Sequence, residues 1–152
     1  MELETKITFA AIVALISMVF SGFTSFLIAL FNNKKSEEKA LRDSLTQINQ
    51  LNMQYPYLEN IKYIEKFSKK RSLNEKDMRY ESYCIIVFNY LERLALFCRF
   101  NMKRMEKYVH VPELVLPHRY WWKGLLNSKF KQTGYSARFI SIVDKIINED
   151  QI

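Results

Sequence analysis

Hydrophobic and polar positions divide this chain into two regimes. From Ile7 to Phe31 the sequence ITFAAIVALISMVFSGFTSFLIALF runs for twenty-five residues without a charge. As a helix rising about 1.5 Å per residue it would measure roughly 37 Å, more than the roughly 30 Å hydrocarbon core of a bilayer. Helices buried in small soluble domains are shorter and keep a polar face. The run therefore predicts a membrane-spanning helix. Beyond it apolar positions recur at amphipathic helical spacing, and no alternating strand pattern is sustained.

Ala40, Leu41, Leu45, Ile48 and Leu51 continue the helical period with no breaker between them and the apolar run. One long helix is expected to leave the bilayer and to stop before Tyr55-Pro56, because a residue preceding proline is pushed away from helical angles. Tyr57 to Lys70 reads as a short amphipathic helix with Leu58, Ile61, Ile64 and Phe67 inward. Asn74 is a candidate N-cap. It opens a central helix in which Tyr83, Val87, Tyr90, Leu94 and Phe97 lie beside a second stripe of Cys84, Phe88, Leu91, Ala95 and Cys98. That helix is expected to continue through Arg99, Lys103 and Arg104 to about Tyr108. Glu92 and Arg93, the charges within the apolar surface, should lie at its rim or be paired.

Val111-Pro112 and Leu116-Pro117 bracket a bend. A short helix over His118–Lys123 follows, then a connection over Asn127–Tyr135. Ser136 should cap a last helix with Phe139, Ile140, Val143, Ile146 and Ile147 inward. The expected fold is all-α: an N-terminal transmembrane segment, 1–33, continuing into a cytoplasmic helical bundle, 34–152.

Flanking charge sets the orientation. Lys34, Lys35, Lys39 and Arg42 follow the span, whereas only Lys6 precedes it, so the N-terminus is expected outside and the remainder in the cytoplasm. The first six residues are not net basic and no small-x-small cleavage site follows, so the segment should stay attached rather than act as a signal peptide. Within the span Ala10, Ala14, Ser17, Ser21, Thr24 and Ile28 share one side, which is small and weakly polar. Small residues let helices approach closely in lipid, and hydroxyls can bond across the contact or back to their own carbonyls. One helix encloses nothing, so conduction needs several copies with this stripe inward. On spacing alone a simple tether containing serines is the plainer reading.

Nine Tyr, eleven Phe and two Trp give the remaining residues material for one packed core. The formal charge of +7 rises to +8 beyond the span, 22 basic against 14 acidic side chains. Such a balance suits anionic lipid, nucleic acid or an acidic protein as neighbour. Lys66, Lys69, Lys70 and Arg71 crowd a helix end, where exposed carbonyls favour cations. Cys84 and Cys98 stand about 21 Å apart along one helix, too far for a disulfide within it, and read as reduced core thiols.

With two histidines and no HExxH or CxxC spacing, no metal site or other cofactor is expected. P-loop, nucleophile-elbow and dinucleotide motifs are also absent from the sequence. The weak catalytic candidate is Arg104-Met-Glu-Lys-Tyr-Val-His110. An Arg and a His beside a phosphodiester could stabilise charge and move a proton. The spacing resembles the R-x4-6-H signature of the HEPN helical ribonucleases, with Met105 where that family usually has a polar residue. RNA is thus a candidate partner and enzymatic activity an open question, leaning to none. Trp121-Trp122, beside Arg119 and Lys123, suit core packing better than base stacking or a lipid interface.

The layout of one N-terminal span, a basic helical domain and a degenerate Arg104/His110 pair resembles the small membrane accessory proteins of type VI-B CRISPR systems. Phe88-Asn89-Tyr90-Leu91-Glu92 also looks like a wider group of membrane-anchored bacterial helical domains of unknown function. The first resemblance implies a homo-oligomeric pore in the bacterial inner membrane that strengthens antiphage defence beside an RNA-guided, RNA-cleaving effector. It implies depolarisation of the infected cell and a structural or vestigial role for Arg104 and His110. It also favours the pore over the tether.

Overall fold

A computed structural model describes residues 2–69, 74–124 and 134–150, with side chains from residue 17 onward. The chain forms a long helix α1 (Glu2–Gln54), a 3-10 turn (Pro56–Glu59), α2 (Ile61–Lys69) and the central α3 (Glu75–Phe97). Then come short α4 (Met102–Met105) and α5 (Val111–Val115), a 3-10 turn (Leu116–His118), α6 (Arg119–Gly124) and α7 (Ala137–Glu149). Among the described residues there is no strand, as the all-α expectation requires. The chain divides into two compact units, 1–40 and 41–152.

In the first unit every described side chain from Ser17 to Glu37 is exposed, including Met18, Phe20, Phe23, Phe26 and Phe31. Among the described residues no helix is long and apolar enough to cross a membrane. The part of the apolar run whose side chains are described, 17–31, covers about 22 Å at 1.5 Å per residue, and the side chains of 7–16, with Ala10 and Ala14 among them, lie outside the description.

The second unit is built around α3, whose two apolar stripes are buried almost throughout: Tyr83, Val87, Phe88, Leu91, Leu94 and Ala95 are all at most 2% exposed. Leu41 and Ile48 from α1 join this core, as do Trp122 and, from α7, Phe139, Val143 and Ile147. The helix starts follow local chemistry. Asn74 accepts a hydrogen bond from the Asp77 amide at 2.8 Å, capping α3, and α1 stops at Gln54 before Tyr55-Pro56.

Three sequence expectations change in detail. Tyr57–Lys70 is not one helix: Asn60 is extended (φ −79°, ψ 114°) and its side chain accepts from the Tyr63 amide at 3.2 Å, starting α2 afresh. That reset leaves Leu58, Ile64 and Phe67 buried but turns Ile61 outward, 69% exposed. Second, α3 ends at Phe97 because Arg99 and Phe100 adopt left-handed backbone (φ 56° and 58°). The Phe100 amide reaches back to the Ala95 carbonyl at 2.6 Å, a Schellman-type closure made without glycine. Asn101 then caps α4 through the Arg104 amide at 3.1 Å.

Third, Ser136 does precede α7, but its side chain makes no cap bond. Glu92 of α3 supplies the acceptor instead, taking the Ser136 amide at 2.6 Å. Both tryptophans are interior, in line with the core-packing reading: the rings stack on Phe88 at 5.4 Å and 4.6 Å between centroids, and Trp122 Nε1 donates to Asp144 at 2.7 Å. The expected connection over 127–135 lies outside the described residues except for Gly134 and Tyr135.

Candidate functional site

In the first unit the helix itself carries the candidate residues. At about 100° per residue, Ser17, Ser21, Gly22, Thr24, Ser25 and Ala29 fall in one half of its circumference, joined by Met18 and Ile28. Val19, Phe20, Phe23, Phe26, Leu27, Leu30 and Phe31 fall in the other. Gly22, Ser25 and Ala29 widen the small face beyond the stripe read from the sequence. A Cβ added at Gly22 would meet nothing within 4 Å, so this face has room for an approaching surface. Thr24 Oγ1 donates to the Phe20 carbonyl at 2.9 Å, which satisfies the hydroxyl within its own helix. Ile28 is 56% exposed.

In the second unit a groove of about 420 Å³ is lined by α2, α5, the following 3-10 turn and α6. Ile61, Ile64, Pro112, Leu116, Pro117 and Tyr120 give it an apolar lining. Its ionisable groups are Glu65, His110, Glu113, Arg119 and Asp150. Arg119 Nη1 pairs with Asp150 Oδ2 at 3.1 Å, and His110 Nδ1 lies 3.5 Å from Glu113 Oε1. Two prolines explain why this wall is a broken helical turn rather than a continuous helix.

His110, one of the two weak catalytic candidates, therefore lines a groove, with its side chain 60% exposed. Arg104 lies exposed on α4, and the groove's described lining carries Arg119 but not Arg104. The basic run at the end of α2 retains Lys66 and Lys69 in the last turn, where the helix dipole favours them. Residues 70 and 71 lie outside the described residues. No group of three or more His, Cys, Asp or Glu among the described residues could hold a metal ion.

Sequence reasoning missed a buried polar cluster at the centre of the second unit. His118, fully buried at the end of its 3-10 turn, has Nδ1 3.0 Å from the Tyr80 hydroxyl and Nε2 3.6 Å from Glu59 Oε1. The second gap is too long for a hydrogen bond and leaves Nε2 without one. Tyr83 donates its hydroxyl to the same Glu59 oxygen. Burial pulls the Glu59 carboxyl upward, but His118 and the Tyr83 hydroxyl outweigh that and hold its pKa below the ordinary carboxylate value. Beside this cluster Tyr63 donates to Asp77 at 2.8 Å, and the Arg79 guanidinium lies 4.2 Å over the Tyr55 ring.

The cluster ties the 3-10 turn after α1 to α3 and to the turn before α6. With His118 sealed from solvent it is built to hold these elements in register. The only sequence signals for it were an acidic residue and a histidine flanking tyrosine-rich segments, which sequence spacing does not bring together.

No family model, curated protein or solved structure matches this chain.

Proposed function

We propose that this chain is a single-pass protein of the bacterial inner membrane, N-terminus outside, whose copies assemble around an axis to form a pore. The observation that carries the reading is the two-faced apolar helix. Nine large hydrophobic side chains between Met18 and Phe31 are 48–73% exposed. Burying one such side chain is worth about 1.5–3 kcal/mol, so leaving them in water forfeits on the order of 10 kcal/mol. A patch of this kind calls for lipid or a partner. The uncharged sequence continues back to Ile7, and Lys34, Lys35 and Lys39 follow at one end, as the orientation rule for a span requires.

The division of that helix supports assembly. The large aromatic and aliphatic half suits acyl chains. The small, hydroxyl-bearing half suits close helix contact and a wetter lining. The resemblance in layout to type VI-B CRISPR accessory proteins gives the pore a role: it strengthens antiphage defence beside an RNA-guided effector, by depolarising the infected cell.

Purified protein should form ring-like oligomers in detergent and release dye from liposomes, with Ser21→Leu or Thr24→Leu altering the leak. An oligomer that passes neither dye nor ions under any condition would end the pore reading. Replacing 7–31 with a foreign span should abolish function while preserving membrane location; retained function would identify a passive tether. RNA cleavage lost in His110→Ala would instead identify a membrane-tethered ribonuclease.

A further inference from the structure

The groove on the second unit is an apolar trough with an acidic rim on a chain whose formal charge is +7. Ile61 and Tyr120, which line it, are among the few large apolar side chains of this unit left open, 69% and 46% exposed. On the rim Asp150 pairs with Arg119 and Glu113 lies 3.5 Å from His110 Nδ1, so the described lining carries three carboxylates, Glu65, Glu113 and Asp150, against one arginine. Three carboxylates against one arginine make this lining a poorer seat for anionic lipid headgroups or nucleic acid than for a cationic surface. A basic surface with an apolar centre fits it.

This chain carries such a surface. At the end of α3 Leu96 is 55% exposed, and Arg99, Lys103, Arg104 and Lys107 follow it in sequence, all exposed. The left-handed Arg99–Phe100 turn folds α4 back beside the end of α3. Met105 is fully buried there, and the Phe97 and Tyr108 rings meet edge to face at 5.9 Å. The basic residues are thus displayed on a packed corner. Glu106 is the one acidic residue among positions 99–107.

We propose that the acidic-rimmed groove binds the Leu96 basic corner of a second copy of this chain, forming the contact between neighbouring subunits. The proposal rests on the assembly proposed above and identifies its cytoplasmic contact surface. Because groove and corner are different patches, the contact is head to tail. Repeated copies build a ring when the rotation closes, which a pore requires, rather than stopping at a two-fold dimer. Apolar contact of Leu96 with Ile61 and Tyr120 would supply close packing, and basic side chains against Glu65 and Glu113 would set the partner and register.

The test is site-directed cross-linking of the full-length protein in native membranes with a short bifunctional maleimide. Cys84 and Cys98 are buried, and burial pushes both thiols up, so they stay silent in the folded protein. Ile61→Cys with Leu96→Cys on one chain should produce a ladder extending beyond dimers, and each single cysteine variant should remain uncoupled. Both positions are exposed, so neither substitution threatens the fold.

Adding Glu65→Lys with Glu113→Lys should abolish the ladder, and adding Lys103→Glu with Arg104→Glu to that background should restore it. A groove-reversed chain or a corner-reversed chain alone should give no ladder, whereas mixing the two should restore a ladder in which they alternate, since both contacts between unlike chains are complementary. The proposal is overturned if the double-cysteine protein gives no ladder while wild type is oligomeric by light scattering; that result leaves the membrane assembly standing. A single-cysteine dimer, or an Ile61→Cys link to a foreign chain, also overturns it. A wild-type protein that is monomeric in both detergent and bilayer overturns this contact and the pore reading together.

Discussion

Tyr83→Phe probes how the second unit is held together. The substitution removes one hydroxyl from a side chain that is 2% exposed and leaves its ring packing in place. The lost bond runs to Glu59 Oε1, on a carboxylate that is 27% exposed. Hydrogen bonds to charged groups contribute about 1.5–3 kcal/mol. Glu59 can recruit water in place of the hydroxyl, so the cost should sit near the lower end, about 1.5 kcal/mol.

In a Glu59→Gln background the same hydroxyl meets a neutral acceptor. Removing it there should cost about 1 kcal/mol or less, giving a measurable coupling between the two positions. Both tryptophans lie in this unit and pack on Phe88, so urea unfolding of the full-length protein in neutral detergent, followed by tryptophan fluorescence, reports the relevant transition.

The acid limb supplies an independent check. The Glu59 carboxyl sits below its ordinary value of 4.5 when folded. Its contribution to stability is therefore full above that value and is lost as pH falls through the folded pKa. Glu59→Gln should flatten this part of the acid limb. Tyr83→Phe removes one of the groups that hold the pKa down, so its acid loss should begin at higher pH. Two results would refute the reasoning: a Tyr83→Phe variant as stable as wild type, or one that costs as much in the neutral Glu59→Gln background as beside the native carboxylate.

Arg99→Gly should stabilise the protein by about 1 kcal/mol, because the exposed arginine is held at φ 56°, a conformation that costs a side-chain-bearing residue but not glycine; equilibrium unfolding reads the gain. Glu92→Ala should cost about 1–2 kcal/mol by uncapping α7, with Glu92→Gln recovering part of that because it keeps an acceptor for the Ser136 amide, both read by the same unfolding curves. Trp122→Phe should leave Asp144 without its 2.7 Å indole donor and open space against Phe88 and Phe139, lowering the unfolding midpoint by more than Arg93→Ala on the exposed side of α3.

Where a helix starts or stops through its own residues, the sequence was readable. Tyr55-Pro56 ends α1, Asn74 caps α3, and the paired stripes of α3 fall on its buried faces, because each depends on chemistry within a few positions. Ile61 was misread because Asn60 interrupts the helix and resets its phase, a one-residue event that a three-step spacing runs straight across. The end of α3 was misread for a related reason. Gly is the usual residue of a left-handed terminus, and here Arg99 and Phe100 adopt that backbone with tertiary packing behind them.

The groups that join distant segments were least readable. Glu92 and Ser136 are 44 positions apart, and Tyr80 and His118 are 38. No period in the chain links either pair, and each residue alone reads as a rim charge, a cap or a helix start. The same physics governs the candidate site. The sequence selected His110 for its spacing from Arg104, whereas folding sets it on a groove whose lining includes Arg119, nine positions further on, and leaves Arg104 on an exposed basic corner. Spacing along the chain tested whether two residues could serve one site. Folding places His110 on the lining of the groove and Arg104 on the exposed basic corner outside it, so a spacing that pairs them in the sequence does not give them a shared groove.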